Sequence, residues 1–157
     1  MFHPMQIKDF RVEHLNIKSN PDYSNNPSEN DIKSELKYSF EFEINLNTPS
    51  RRRIYINLDI NKDNKYFKNN PYRIKIRSGI ELLFPKDMDE KNIVKNIEHS
   101  GFHLLWTTLR AYIITLTDMF PHGRYILPVM DLTDIQKAFK NGIKEASDNL
   151  NNTRIFP

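Results

Sequence analysis

Apolar and polar residues alternate over long stretches in the first half of the chain. The clearest stretch places an apolar side chain at every second position: Leu36, Tyr38, Phe40, Phe42, Ile44 and Leu46. A period of two predicts a strand with one buried face. The same pattern follows at Ile54, Ile56, Leu58 and Ile60, and again from Tyr72 through Phe84. The turn residues 47–50 join the first two strands and predict a hairpin.

The start of the chain predicts a further, less regular strand over residues 6–18. Phe10 and Val12 share one parity, whereas Leu15 and Ile17 have the opposite parity. A bulge would produce this phase slip. Gly79 predicts a second irregularity, a bend or bulge in the last strand. Residues 19–34 and 61–71, rich in Asn and Pro, predict loops.

Helical spacing replaces the alternation in the second half. Ile93, Val94 and Ile97 predict a short helix, which we expect Ser100-Gly101 to interrupt. A helix of about five turns follows, with apolar residues at helical spacing: Phe102, Leu105, Trp106, Leu109, Tyr112, Ile113, Leu116 and Phe120. Pro121-His122-Gly123 ends it. An extended segment leads to a last helix carrying Ile135, Ala138, Phe139 and Ile143, and the polar tail from Ser147 is expected to fray.

Strands followed by helices predict one α+β domain over residues 1–157, with an ordered core of about 6–145. In this fold a four-stranded antiparallel sheet precedes one long helix and a shorter C-terminal helix, both packed on one face.

Composition narrows the function classes. The chain has 157 residues, no cysteine and four glycines, so thiolate chemistry is excluded, and we find no glycine-rich phosphate loop. We expect no enzyme, no cofactor and no metal site. The N-terminal residues lack a signal-peptide pattern, and the longest apolar-rich stretch, 102–120, is interrupted by polar residues; we therefore expect a cytoplasmic protein without membrane insertion.

One segment resembles a known family. Residues 104–135, LLWTTLRAYIITLTDMFPHGRYILPVMDLTDI, are similar to the signature half of SecB, the protein-export chaperone. Arg110 lies in the long helix, Phe120, Pro121 and Gly123 form the turn, and residues 125–132 take the place of the extended segment. Residues 76–82 resemble the last strand of that family. The resemblance implies the SecB-like fold and a holdase that binds unfolded polypeptides.

The net charge of +3 modifies what the resemblance implies. SecB proteins are acidic, and their acidic surface helps to dock the translocase motor. A basic chain is better suited to the branch of toxin–antitoxin–chaperone systems, in which the client is an antitoxin. General export, with a preprotein as client, is the alternative.

The resemblance also implies binding surfaces. A client groove would be bordered by the sheet edge, the extended segment and the last helix, and its predicted contacts are Tyr55, Leu83, Met130, Leu132, Ile135 and Phe139. In the SecB family the long helix packs dimers into a tetramer. Four of its residues lie partly outside the stripe expected to cover the sheet, and we assign them to a homotetramer interface: Leu104, Trp106, Ile113 and Ile114. For both groups, burial in the core of a single chain is the alternative.

Two competing functions remain. Arg51-Arg52-Arg53 with Tyr55, and residues 65–68, combine basic and aromatic side chains as single-strand binders do; the same charges also protect sheet edges from aggregation, which we favour. An adaptor that reuses the fold to bind one folded partner is the other. His99 and His103 have a spacing that could hold a metal ion, but no third ligand has a specific spacing.

Overall fold

A computed structural model of the chain describes residues 5–24, 33–45, 47–127, 133–148 and 154–156. The strands of its single sheet are β1 (Gln6–Ser19), β2 (Leu36–Asn45), β3 (Arg51–Ile60), β4 (Tyr72–Leu83) and β5 (Arg154–Phe156). Their spatial order is β1-β4-β3-β2-β5. The first four strands pair antiparallel, as the alternation predicts, and β5 adds to β2 in parallel.

Strand β1 carries the predicted bulge. Its register against β4 shifts between Val12 and His14, which returns Leu15 and Ile17 to the face of Phe10 and Val12. A second shift lies between Ile7 and Asp9. The bulges therefore keep the apolar residues of β1 on one face despite the change of parity.

The helices are α1 (Asn64–Phe67), α2 (Glu90–Asn96), α3 (Phe102–Thr117) and α4 (Thr133–Asp148). The predicted interruption at Ser100-Gly101 is wrong, because a π-helical turn, Ile97–Gly101, connects α2 to α3 without a break. A Cβ at Gly101 would lie 3.3 Å from Ile54 Cδ1. Glycine therefore lets the turn approach the sheet closely and does not end the helix.

The larger helices cover one face of the sheet, and the core lies between the two layers. Its sheet side is formed by alternate residues of β3 and β4 that are almost fully buried: Ile54, Ile56, Leu58, Ile60, Ile74, Ile76, Ile80 and Leu82. Aromatic rings complete it on the helix side, where Phe102 and Phe139 pack at 5.6 Å between centroids.

Buried asparagines fix the Asn-rich connections. The Asn20 side chain donates hydrogen bonds to the carbonyls of Phe67 (2.9 Å), Lys68 (3.1 Å) and Asn70 (3.1 Å). Asn61 is also buried and donates to the carbonyl of Tyr72 at 3.0 Å. These loops are held by satisfied buried amides, although their composition predicts only irregular structure.

The tail differs from the prediction. Helix α4 extends to Asp148, and residues 154–156 form β5. The expected fraying from Ser147 is therefore wrong for these residues.

Candidate functional site

The core-facing stripe of α3 differs from the one expected from the sequence to cover the sheet, which consists of Phe102, Leu105, Leu109, Tyr112 and Leu116. Its buried residues are Phe102, Leu105, Trp106, Leu109, Ile113 and Thr117. Trp106 is 6% exposed and stacks on Phe102 at 6.0 Å, and Ile113 is fully buried. These two predicted interface residues lie in the core of the single chain, because the stripe follows spacings of three and four from Phe102 and passes through both. Tyr112 and Leu116 are half-buried beside it.

The outer face of α3 has one exposed charge at its margin, Arg110, and is otherwise uncharged. It combines two half-buried predicted interface residues with small neighbours: Leu104, Thr107, Thr108, Ala111, Ile114 and Thr115. The Thr115 hydroxyl donates to the Ala111 carbonyl at 2.9 Å, so it needs no external partner. This surface, called here the α3 outer face, is suited to close packing against another helix.

Strand β1 adds apolar surface at the edge of the sheet. Ile7 is 42% exposed and Leu15 is 36% exposed. Phe10, between them, packs against Tyr112 of α3 at 5.7 Å between centroids. The sequence pattern did not reveal this exposure, because alternation identifies the apolar face of a strand but not whether the strand lies at an edge.

Helix α4 covers the sheet at β2. Ile135 is 2% exposed, and Phe139 is fully buried against Phe40 (5.2 Å) and Phe42 (5.4 Å). A Cβ at Gly142 would lie 2.9 Å from the Phe42 ring, so this glycine admits the ring beneath the helix. The predicted client contacts Ile135 and Phe139 are therefore core residues in this arrangement.

Tyr55 and Leu83 differ in accessibility. Tyr55 is 2% exposed, because its ring lies on Gly79 and is covered by the Arg77 guanidinium at 4.5 Å. Burial raises the pKa of the Tyr55 hydroxyl. Leu83 is half-buried at the end of β4, opposite Gln6 and Arg51. Met130 and Leu132 lie outside the described residues.

The segment after α3 is held in place on both sides of an exposed apolar side chain. The Tyr72 hydroxyl donates to the Gly123 carbonyl at 2.8 Å, and the Tyr125 amide donates to Thr117 Oγ1 at 2.7 Å. Tyr125 and Leu127 are buried, whereas Ile126 is 59% exposed. Ile126 therefore exposes an apolar side chain to solvent just before residues 128–132 in the sequence.

The arginine run is ion-paired within the chain, and one carboxylate, Glu81, is shared by Arg51, Arg53, Lys8 and Arg11. Arg51 and Arg53 bind opposite oxygens of Glu81, at 2.6 and 3.0 Å, and Lys8 adds a contact at 3.2 Å. Arg52 pairs with Glu90 at 2.5 Å. Burial of the Glu81 carboxyl favours its neutral form, but the hydrogen bonds from Arg51, Arg53 and Lys8 outweigh this and hold its pKa below the usual value.

The second basic–aromatic segment is also paired within the chain. Residues 65–68 lie in and just after α1, where Arg73 stacks on Phe67 at 4.6 Å and Lys65 lies over Tyr66 at 4.7 Å. Their aromatic faces are therefore partly covered by the chain's own cations.

An apolar cleft lies between the sheet and the ends of α2 and α4. The space inside it that solvent can occupy is only about 20 Å³, and its apolar lining consists of Phe42, Ile44, Ile54, Val94, Ile97, Ile143 and Ala146. Its rim carries the Arg52–Glu90 ion pair. The cleft opens beside the end of β2, where β5 pairs with the sheet.

The described residues contain no group of three His, Cys, Asp or Glu that could hold a metal ion. His99 Nδ1 instead contacts the Lys95 carbonyl at 2.7 Å. No helix of the described part of the chain is long and apolar enough to cross a membrane.

The fold matches a solved chaperone structure. The SecB-like chaperone Rv1957 of Mycobacterium tuberculosis, in complex with a ChAD peptide from the antitoxin HigA1, is 14% identical with a TM-score of 0.55, over 82% of this chain and 88% of that one. The chain has the SecB-like fold. A protein of unknown function from Streptococcus agalactiae is also similar (TM-score 0.40, 8% identity, 79% of this chain and 96% of that one). No family model matches the sequence, and no curated protein matches it.

Proposed function

We propose that this chain is a SecB-like holdase that binds unfolded or aggregation-prone polypeptides, and that its client is the antitoxin of a toxin–antitoxin–chaperone system. The observation that carries the proposal is the likeness in fold to a SecB-like chaperone solved with an antitoxin peptide. A preprotein destined for export is the alternative client.

The physical basis of holding is exposed apolar surface. Apolar contact is non-directional and tolerates many client sequences. Covering a few hundred Å² contributes several kcal/mol at roughly 25 cal/mol per Å². The proposal assigns first contact to Ile126 and Leu83, together with Met130 and Leu132 in the segment that follows. No catalytic group is required.

Ile135, Phe139 and Tyr55 have a different part in this proposal. Ile135 and Phe139 are buried on α4, where Phe139 packs against β2, and the Tyr55 ring is covered by Arg77. They can contact a client only if α4 or Arg77 moves. We therefore propose that they stabilise the client-binding surface from beneath.

Self-association is the second part of the proposal. The α3 outer face is uncharged apart from Arg110 at its margin, and β1 exposes Ile7 and Leu15 at the sheet edge. One copy that covers the β1 edge and another that covers the α3 outer face would give the homotetramer, a dimer of dimers, that the family resemblance implies. Several client sites on one assembly would raise the avidity for a long unfolded chain.

The ion pairs of the arginine run argue against nucleic-acid binding. Arg51 and Arg53 share Glu81, and Arg52 is bound to Glu90. A phosphate would have to compete with carboxylates already in contact at 2.5–3.0 Å. The holdase proposal needs no such competition.

The proposal is tested by light scattering of a denatured enzyme that aggregates on dilution, with the antitoxin encoded beside this chain, where one exists, as the specific client. We expect this protein to suppress aggregation in both cases, and at lower concentration for the antitoxin. Unchanged aggregation of both at molar excess would refute it.

A further inference from the structure

Over most of its length, β2 has no strand on its outer side in the described part of the chain. Strand β2 has ten residues, but β5 pairs only with Glu43, Ile44 and Asn45. Leu36–Phe42 has β3 on one side and no described strand on the other. Such an edge presents backbone donors and acceptors that an extended polypeptide can satisfy.

The covered end of β2 adjoins the apolar cleft. Ile44 lines the cleft and is the register partner of Ile155 in β5. Glu43 is the register partner of Arg154. This part of the edge therefore combines a strand-pairing site, a small apolar cleft and an acidic residue within three positions.

We infer that the outer edge of β2, beside this small cleft, binds an extended polypeptide strand parallel to β2, and that β5 is an internal competitor for this strand. The inference rests on the proposed chaperone function. The preferred ligand has the pattern of β5 itself: a basic residue opposite Glu43, followed by two apolar residues. Longer ligands continue along Leu36–Phe42.

The length of β5 makes it replaceable. It contributes three residues in a parallel pairing, which is weaker per residue than an antiparallel one. An incoming strand that pairs along more of β2 forms additional backbone hydrogen bonds that β5 cannot form. Only residues 149–153 separate β5 from α4, so its effective concentration at the edge is high and it lowers the apparent affinity for every ligand of this site.

The experiment compares two proline variants of the full chain. Ile155→Pro removes the amide at the centre of β5 and prevents regular pairing. Asn152→Pro introduces the same residue outside β5 and is the matched control. The probe is fluorescent, reduced and carboxymethylated lactalbumin, which stays unfolded, and its affinity is measured by anisotropy. Hydrogen exchange at Glu43–Asn45 reports directly on the edge.

We expect Ile155→Pro to bind the probe about 5-fold more tightly, since removing a competing closed state raises apparent affinity by the inverse of the open fraction. Asn152→Pro should match the wild type. A peptide of residues 149–157 should displace the probe, and the probe should protect Glu43–Asn45 in the Ile155→Pro variant.

The outcomes separate the inference from the function on which it rests. Equal capture by all three proteins, with no displacement by the peptide, would overturn the inference and leave the holdase intact. Absence of capture by all three would overturn the holdase function and the inference with it.

Discussion

The ring of Tyr55 lies directly on Gly79 of the neighbouring strand. The two residues are register partners of β3 and β4, and a Cβ at Gly79 would come within 2.5 Å of Tyr55 Cδ1 and 2.8 Å of the Ile54 carbonyl. The pairing with β3 shows no register shift here, so of the predicted bend or bulge at Gly79, a bulge is absent from this pairing. Gly79 instead provides the space in which an aromatic ring covers the strand.

Gly79→Ala should therefore destabilise the fold, by about 1–3 kcal/mol from overpacking. Urea unfolding can be followed by the emission of Trp106, the single tryptophan, which is buried. Since the ring causes part of the clash and the Ile54 carbonyl the rest, the cost of the substitution should be smaller, but not zero, in a Tyr55→Ala background. Additive costs in the double-mutant cycle would contradict this account.

Glu81 should make the stability of the protein depend on pH in the acid range. Its pKa in the folded chain lies below the ordinary value of 4.5. Its ion pairs therefore contribute stability that is fully present above about pH 4.5 and is lost as the pH falls through the folded-state pKa. Glu81→Gln should cost about 2–4 kcal/mol near pH 7, because it leaves the surrounding arginines without their carboxylate.

The matched control is Asp118→Asn, which removes the exposed ion pair with Arg124. It should leave both the stability and its pH profile unchanged. If Glu81→Gln retained the acid sensitivity of the wild type between pH 5 and pH 3, the ion-pair explanation would be incorrect.

Replacement of Phe139 distinguishes a structural role for this side chain from direct contact with the client. Truncation of this fully buried ring to alanine should cost about 3–5 kcal/mol in urea unfolding. Lys137→Ala, on the exposed side of the same helix, should have little effect. A stable Phe139→Ala variant that loses only client binding would show that the ring contacts the client directly.

The α3 outer face can be tested by charge. Leu104→Glu or Ala111→Glu would place a carboxylate on the proposed interface, where burial without a partner is unfavourable. Light scattering after size exclusion should show a smaller assembly for both variants and an unchanged one for Lys91→Glu on α2. A monomeric wild type at micromolar concentration would refute the proposed tetramer.

The layers of the fold could be predicted from the sequence because alternation and helical spacing are direct consequences of burial. The strands, the bulge after Val12 and the order of the helices follow from such patterns. The face of α3 was harder to predict, since nearly every side of that helix carries an apolar residue. Only the packed structure shows that Trp106 and Ile113 face inward while Leu104 and Ile114 do not.

Contacts between residues far apart in the sequence were the second feature that the sequence pattern could not predict. Strand β5 has three residues within a polar tail, too few for a periodic signal, and its partner is more than a hundred residues away along the chain. The ion pairs of the arginine run likewise depend on Glu81 and Glu90, which only folding brings near.

The central claim is that the chain holds unfolded polypeptide through apolar contact. The most direct measurement is the affinity for carboxymethylated lactalbumin, for the native form of the same protein and for a single-stranded RNA, each at low and high salt. We expect tight binding of the unfolded chain that holds or strengthens with salt, and weak binding of the other two. Tight RNA binding that falls steeply with salt, without capture of the unfolded chain, would contradict the account.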